Sequence, residues 1–332
     1  MLPEQNAAGR SPAQIMMTLS AISYVDPTEI KSELADKTYA TQGEWDLVWG
    51  PIYNIDSIYV DNLVYIVQLK GANMYTVVIR GTVLSNQLST LLDLYEDLDV
   101  SCPLPWIYPA VPKALVAGGT LFGLEILTTM KDTMLGQTIL QFLSSRPPAF
   151  IYVTGHSLGG CLTTVFAPWL KYQFELNKVK QGFVLPFTFA APTAGNKEFA
   201  LWYDQRFTLP CFRYFNTIDL IPMAWSTLHG IDGLFPPKPY CPWSVKELVY
   251  LLQKYLKECD VSYTQTNGQG TPLKGTSTEN PDWFKEVEAQ HKHNTYLRLL
   301  KAPPITETFL PIIKPKCHNI LLMQPETPPH LS

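Results

Sequence analysis

Apolar positions fall into two rhythms along the chain, and the two alternate. Runs of four or five consecutive apolar residues at 63–67, 75–79, 150–153, 187–190 and 212–216 are bounded by turn residues and predict buried strands. The first two are joined at 71–73, as neighbouring strands would be. Between the later runs the apolar residues recur at helical spacing. Ser11, Pro12 and Gln14 predict a capped helix start, followed by a stripe of Ile15, Met16, Leu19 and Ile22. Leu88, Leu91, Leu92, Tyr95 and Leu98 mark an amphipathic helix over 88–98, with Asp93, Glu96 and Asp97 between them. Residues 114–130 predict a core helix, within a long helical region over 120–143. Residues 158–167 predict a buried helix with Pro168 near its end, and another helix begins near Asn196.

Residues 44–60 are aromatic and turn-rich. Past 224 the pattern loosens: Ser244 and Glu247 predict a capping box and a helix to about 257, and 260–281 is a polar loop. A helix then opens at Asn280-Pro281, passes Trp283, Phe284 and Val287, and runs on through 291–297. The strand–helix–strand rhythm predicts an α/β fold, a mostly parallel central sheet flanked by helices. The expected organisation is a single domain over 1–301, with a candidate lid at 83–105, an insertion at 224–281 and a proline-rich tail at 302–332.

Composition narrows the function classes. The chain has 332 residues, 46% hydrophobic and 16% charged, with a net charge of −4, which gives no footprint for nucleic acid. Its six cysteines are scattered, with no C-x-x-C and no Cys/His cluster, so neither a zinc site nor a disulfide scaffold is expected. No metal or organic cofactor is expected. No basic-then-apolar leader is visible at the N-terminus, and the apolar stretch at 114–130 carries Glu125 and Gly118-Gly119, so no clear transmembrane segment is read. Localisation stays unassigned.

The chemistry centres on Gly155-x-Ser157-x-Gly159 between a strand and a helix. That context is a nucleophile elbow, a sharp turn that presents a serine hydroxyl at its tip beside a helix N-terminus. A serine needs an imidazole to accept its proton and a carboxylate to orient that ring. The order serine, acid, histidine of α/β hydrolases is met by Ser157, Asp219 at the end of the 212–216 strand, and a later histidine. Of six histidines, His156 is fixed on the elbow, and His318 and His330 lie in the tail, which leaves His229, His291 and His293. Arg80-Gly81-Thr82 ends an earlier strand, where a second oxyanion donor beside the Leu158 N–H is required.

Together, Arg80-Gly81-Thr82, Gly155-His156-Ser157-Leu158-Gly159-Gly160, the Ala191-Pro192-Thr193-Ala194-Gly195-Asn196 stretch, Asn216-Thr217-Ile218-Asp219 and His293-Asn294-Thr295-Tyr296 resemble the class 3 (fungal-type) lipase family over about 63–300. The resemblance implies an α/β-hydrolase fold, Ser157 as nucleophile, Asp219 as acid, and Thr82 with Leu158 as oxyanion hole. It selects His293 as base, because the family's base is often followed by tyrosine three residues on, here Tyr296. On one helix His291 and His293 stand about 200° apart, so only one of them can face Ser157. The implied activity is hydrolysis of lipid carboxylic esters through an acyl-enzyme, as a triacylglycerol lipase or carboxylesterase. A phospholipase A1 or acyltransferase on the same residues, or a catalytically silent lipase-like binding module, are the alternatives. The implied partners are a lipid or other ester substrate and transient contact with a lipid–water interface, with no nucleic acid and no protein partner.

Overall fold

Alternation within the apolar strand runs sends successive side chains to opposite faces of a sheet, and both faces of this one are covered. The computed structural model describes residues 9–53, 63–81, 100–207, 212–268 and 270–306. Its seven-stranded sheet runs β1 (Trp45–Tyr53), β2 (Leu63–Leu69), β3 (Met74–Ile79), β6 (Phe150–His156), β7 (Val184–Phe189), β8 (Phe212–Asn216) and β9 (Thr271–Leu273), in that spatial order. β1, β2 and β3 pair antiparallel, and every pair from β3 to β9 is parallel. A separate hairpin joins β4 (Pro103–Ile107) to β5 (Ala110–Ala117).

The period of two is visible in the cores. Val77, Ile79, Ile151 and Val153 face one apolar cluster, shared with Leu162, Val165 and Phe166. Val78, Tyr152, Phe187 and Phe189 face the other, shared with Met16, Leu19, Tyr296 and Leu297. Helix α1 (Pro12–Ile22) covers that second face and starts with the expected capping box, Ser11 accepting from the Gln14 N–H while Gln14 accepts from the Ser11 N–H. Gln14 also donates to the carbonyls of Leu300 and Lys301, at 2.9 and 3.1 Å, tying α1 to the far end of the described chain. A short α2 (Ile30–Ala35) leads into β1.

Several elements differ from the sequence expectations, each for a local reason. Residues 45–53 form an edge strand, with register shifts around the Gly50-Pro51 step. Residues 110–117 are β5 rather than helix, because they pair with β4 and Val116 bridges Gly195. The helical region is split into α3 (Gly118–Thr129) and α4 (Ile139–Ser144). Between them Asp132 accepts the N–H groups of Met134 and Leu135 at 2.8 and 2.7 Å, offering the backbone an alternative to the helix. Thr138 and Gln141 then cap α4 afresh. Helix α5 (Leu158–Leu176) runs straight through Pro168, its residues 158–170 all buried, so packing outweighs the lost hydrogen bond. After α6 (Lys197–Arg206), α7 (Trp243–Glu258) forms behind Pro242 with no side-chain cap, so the Ser244/Glu247 box is not its start. The polar loop at 260–281 contains β9, and the last helical stretch divides into α8 (Trp283–His291) and α9 (His293–Leu299). Thr82 and the helix expected at 88–98, and with them most of the 83–105 segment, lie outside the described residues, as does 307–332.

The parallel register lines up the strand ends. Ile79 stands opposite Gly155, His156 opposite Phe189, and Phe189 opposite Tyr214. Gly81, Ser157 and the turn after Asn216 therefore leave the sheet at one edge, the edge where α/β sheets bind ligands. Helix α5 begins hard against that edge. A Cβ at Gly155 would lie 2.3 Å from the Gly159 backbone and 2.8 Å from the Ile79 carbonyl oxygen. Gly155→Ala is expected to cost at least about 2 kcal/mol by overpacking, read from urea unfolding. Gly233→Ala, where a Cβ meets nothing within 4 Å, is expected to stay within about 0.5 kcal/mol of wild type.

Candidate active site

The turn out of β6 is sharp enough to force a non-glycine residue to positive φ. Ser157 sits at φ 60, ψ −130, a conformation that persists only where its surroundings over-determine it. Three backbone bonds do this: the Ser157 N–H donates to Phe189 O at 2.9 Å, and the Ser157 carbonyl accepts from Gly160 and Cys161 at 2.9 and 3.1 Å. A Cβ at Gly159 would lie 2.2 Å from the Ile79 oxygen, so this turn of helix lies directly on the end of β3.

Asp219 is held in the turn that follows β8, its N–H donating to Asn216 O at 3.1 Å. The residue is 1% exposed, and a buried carboxylate is tolerated only with donors around it. It has three. Ile221 N–H donates to Oδ1 at 3.0 Å, Tyr296 O–H donates to Oδ2 at 2.7 Å, and His291 Nδ1 lies 2.8 Å from Oδ2. An ionised carboxylate only accepts, so the His291 proton is on Nδ1. That leaves Nε2 as an acceptor, and Ser157 Oγ lies 2.8 Å from it.

His291 is the last residue of α8, and a polar network fixes that helix end. Asn216 Nδ2 donates to the Gln290 carbonyl and side-chain oxygens at 3.0 and 2.8 Å. Gln290 Nε2 donates to Glu286 at 2.8 Å and to Thr276 O at 3.0 Å. Glu286 accepts in addition from the Thr278 N–H and hydroxyl and from the Asn280 N–H. Burial alone would raise the Glu286 pKa; the hydrogen bonds from Thr278, Gln290 and Asn280 outweigh it and hold the carboxyl below its ordinary range.

The expected base, His293, is not in this chain of contacts, and His291 takes the place assigned to it. The continuous helix assumed over both histidines is broken at Lys292, at φ −55, ψ 138, so the helix end that reaches across to Ser157 comes at 291. His293 opens α9 and turns to Tyr24, stacked with ring centroids 5.1 Å apart. Tyr296, the residue that pointed to His293, does reach the site, but through Asp219. His229 is exposed in a 3₁₀ turn, Leu228–Gly233. Leu158 opens α5, where the first N–H groups have no intrahelical acceptor. Among the described residues, no group of three or more His, Cys, Asp and Glu side chains is placed to hold a metal ion.

This arrangement has relatives. The model of the class 3 lipase family matches residues 76–228. That stretch belongs to the class 3 lipases. A curated lipase of Caenorhabditis elegans, ZK262.3, is 27% identical over 257 residues, which span 75% of this chain and 60% of that protein. The triacylglycerol lipase OBL1 of Arabidopsis thaliana is 34% identical over 85 residues, 25% of this chain and 16% of that one. This chain therefore spans less than two thirds of either curated relative. Among solved structures, the M37 lipase superposes with a TM-score of 0.76 at 29% identity, covering 88% of this chain and 94% of its own. The fold is thus the α/β-hydrolase fold, and the lipase relatives support a lipid ester hydrolase. The family match holds Gly81, Ser157 and Asp219 but ends before His291, so the histidine is placed by geometry alone.

His156 stands behind the pair, its ring centroid 4.8 Å from that of His291. Burial first, then the neighbouring His291 and His293, hold its pKa well below the ordinary 6.5, with a backbone hydrogen bond at His291 opposing in part. The unfolded chain takes up this proton below about pH 6.5 and the folded one does not, so the stability tied to His156 is complete above that pH and declines as pH falls through it. In His156→Gln the loss of urea stability from pH 6.5 downward is expected to be shallower than in wild type; parallel curves would show that His156 does not contribute.

Proposed function

We propose that the protein is a serine hydrolase that cleaves carboxylic esters of lipids through an acyl-enzyme, with Ser157 as nucleophile, His291 as general base and Asp219 as its acid partner. The observation that carries this reading is the unbroken run from Ser157 Oγ to His291 Nε2 and from His291 Nδ1 to Asp219 Oδ2, each step 2.8 Å. His291 Nε2 takes the serine proton as Oγ attacks the ester carbonyl carbon. The imidazolium that forms is stabilised by Asp219, and it returns the proton to the departing alkoxide. Water then enters by the same route, its proton passing to Nε2 while its oxygen attacks the acyl carbon and releases Ser157. The oxyanion of each tetrahedral intermediate is assigned to the Leu158 N–H, with Thr82 as its second donor.

Lipid as the ester class follows from the relatives: one is a lipase by its name and another a triacylglycerol lipase. The segment 83–105 is proposed as the part that meets the lipid–water interface, within a single α/β-hydrolase unit over 1–301. The 224–281 insertion supplies the Thr276 and Thr278 contacts that brace α8, which supports a role in holding the base.

Three single variants test the roles. Ser157→Ala is expected to lower turnover of a soluble short-chain ester by about 10⁶-fold, and His291→Ala nearly as far, since triad members act as a unit. His293→Ala is expected to keep measurable turnover. Labelling by a fluorophosphonate should require both Ser157 and His291. An active His291→Ala beside a dead His293→Ala would overturn the base assignment, and an active Ser157→Ala the whole mechanism.

A further inference from the structure

Tyr24 precedes the segment matched to the family, yet its side chain meets the elbow. It lies just past the end of α1, its N–H donating to Ala21 O at 3.0 Å. Its hydroxyl lies 3.1 Å from His156 Nδ1 and 3.3 Å from the His156 carbonyl oxygen. The same hydroxyl is hydrogen-bonded to the backbone of Gly81. Gly81 is pressed into this corner: a Cβ there would lie 2.5 Å from both the Tyr24 hydroxyl and the His156 oxygen, and 3.1 Å from Ser157 Cβ. The Tyr24 ring stacks on His293 within 17° of parallel and meets His156 edge-on at 5.7 Å.

A phenol offers one proton and two lone pairs, so a single hydroxyl can accept from one segment and donate to another. Here the two segments are those that flank Ser157, one leaving β3 and one ending β6. Burial pushes the phenol well above its ordinary range, the Arg80 charge and the Gly81 hydrogen bond opposing in part, so the proton stays on the hydroxyl at any working pH.

We propose that Tyr24 is a positioning residue for the Ser157 nucleophile. Its hydroxyl clasps Gly81 to His156, and its ring, through His293, ties that clasp to the helix that follows the base. The proposal rests on the hydrolase reading above. The need arises from the strain at Ser157: a residue at φ 60 keeps its geometry only while its neighbours hold it, and a small rotation at His156 would move Oγ away from His291 Nε2. Tyr24 touches neither of those reacting atoms in its printed contacts, which are to His156, Gly81 and His293.

Tyr24→Phe removes the hydroxyl and keeps the stacked ring. In the full chain it is expected to lower kcat for a soluble short-chain ester about ten- to a hundredfold with KM unchanged, the cost of a misplaced reacting group. The rate of fluorophosphonate labelling should fall in step, while the Tm stays near that of wild type. Tyr24→Leu, which also loses the stack on His293, should fall further. Wild-type kcat and labelling in Tyr24→Phe would overturn the proposal. So would a raised KM at unchanged kcat, or an activity loss matched by the unfolded fraction, since these mean substrate contact or ordinary packing. A wild-type protein that neither hydrolyses the ester nor is labelled would instead remove the hydrolase reading itself, and that arm is read before any Tyr24 variant.

Discussion

The Asp219 carboxylate is the group on which the rest of the site depends. It is 1% exposed, and a charge that far from water needs a donor at each lone pair it presents. Its donors come from three places in the chain: the next turn at Ile221, the end of α8 at His291, and α9 at Tyr296. Tyr296 is itself fixed by the Asn216 N–H, which donates to its hydroxyl at 3.0 Å. The end of β8 therefore sets both the acid and the tyrosine that orients it. Once Asp219 is satisfied in this way, the histidine proton is placed on Nδ1, and the free Nε2 is presented to Ser157 without any further device.

The serine side is governed by steric closeness rather than by charge. The elbow works because Gly155 and Gly159 let α5 begin in contact with the end of β3, leaving no room for a side chain at either position. The first N–H groups of α5 then lie beside the serine by construction. The opposite side of the elbow is faced by His156, a ring kept neutral by burial and by two neighbouring imidazoles. A neutral ring there adds no charge to oppose the imidazolium that His291 forms during turnover.

Features that rest on local rules could be read from the sequence. The elbow is one: a strand, two glycines at fixed spacing and a helix are all contained in some twenty residues, and Asp219 at the end of a strand is another. The Ser11 capping box is a third. Features set by distant partners could not. β9 is three residues in a polar loop and becomes a strand only because Tyr214, Phe215 and Asn216 are there to pair with it. Helix α5 continues past Pro168 because its burial against the sheet outweighs a local break. The base was misplaced for the same kind of reason. Nothing in residues 286–297 taken alone announces a break at Lys292, because the break is set by what holds the helix ends: the network from Asn216 through Gln290 to Glu286 on one side, and the Tyr24–His293 stack on the other.

That division also explains why the family match stops where it does. Strand register and glycine spacing bring Gly81, Ser157 and Asp219 to one edge, and these are short-range constraints carried within residues 76–228. The base has a looser requirement: an imidazole must arrive with Nδ1 on Asp219 and Nε2 on Ser157, by whatever path the chain takes. In this chain the path is a long excursion, and its polarity is used in the bracing. Thr276, Thr278 and Asn280 turn their hydrogen-bonding groups on Gln290 and Glu286, converting a polar loop into the support for one helix end. The Glu286 carboxyl, held below its ordinary pKa by those donors, stays ionised and keeps the brace closed at neutral pH. A loop so rich in polar groups therefore has a mechanical task in the site although none of its residues touches Ser157 Oγ, Asp219 or the His291 ring.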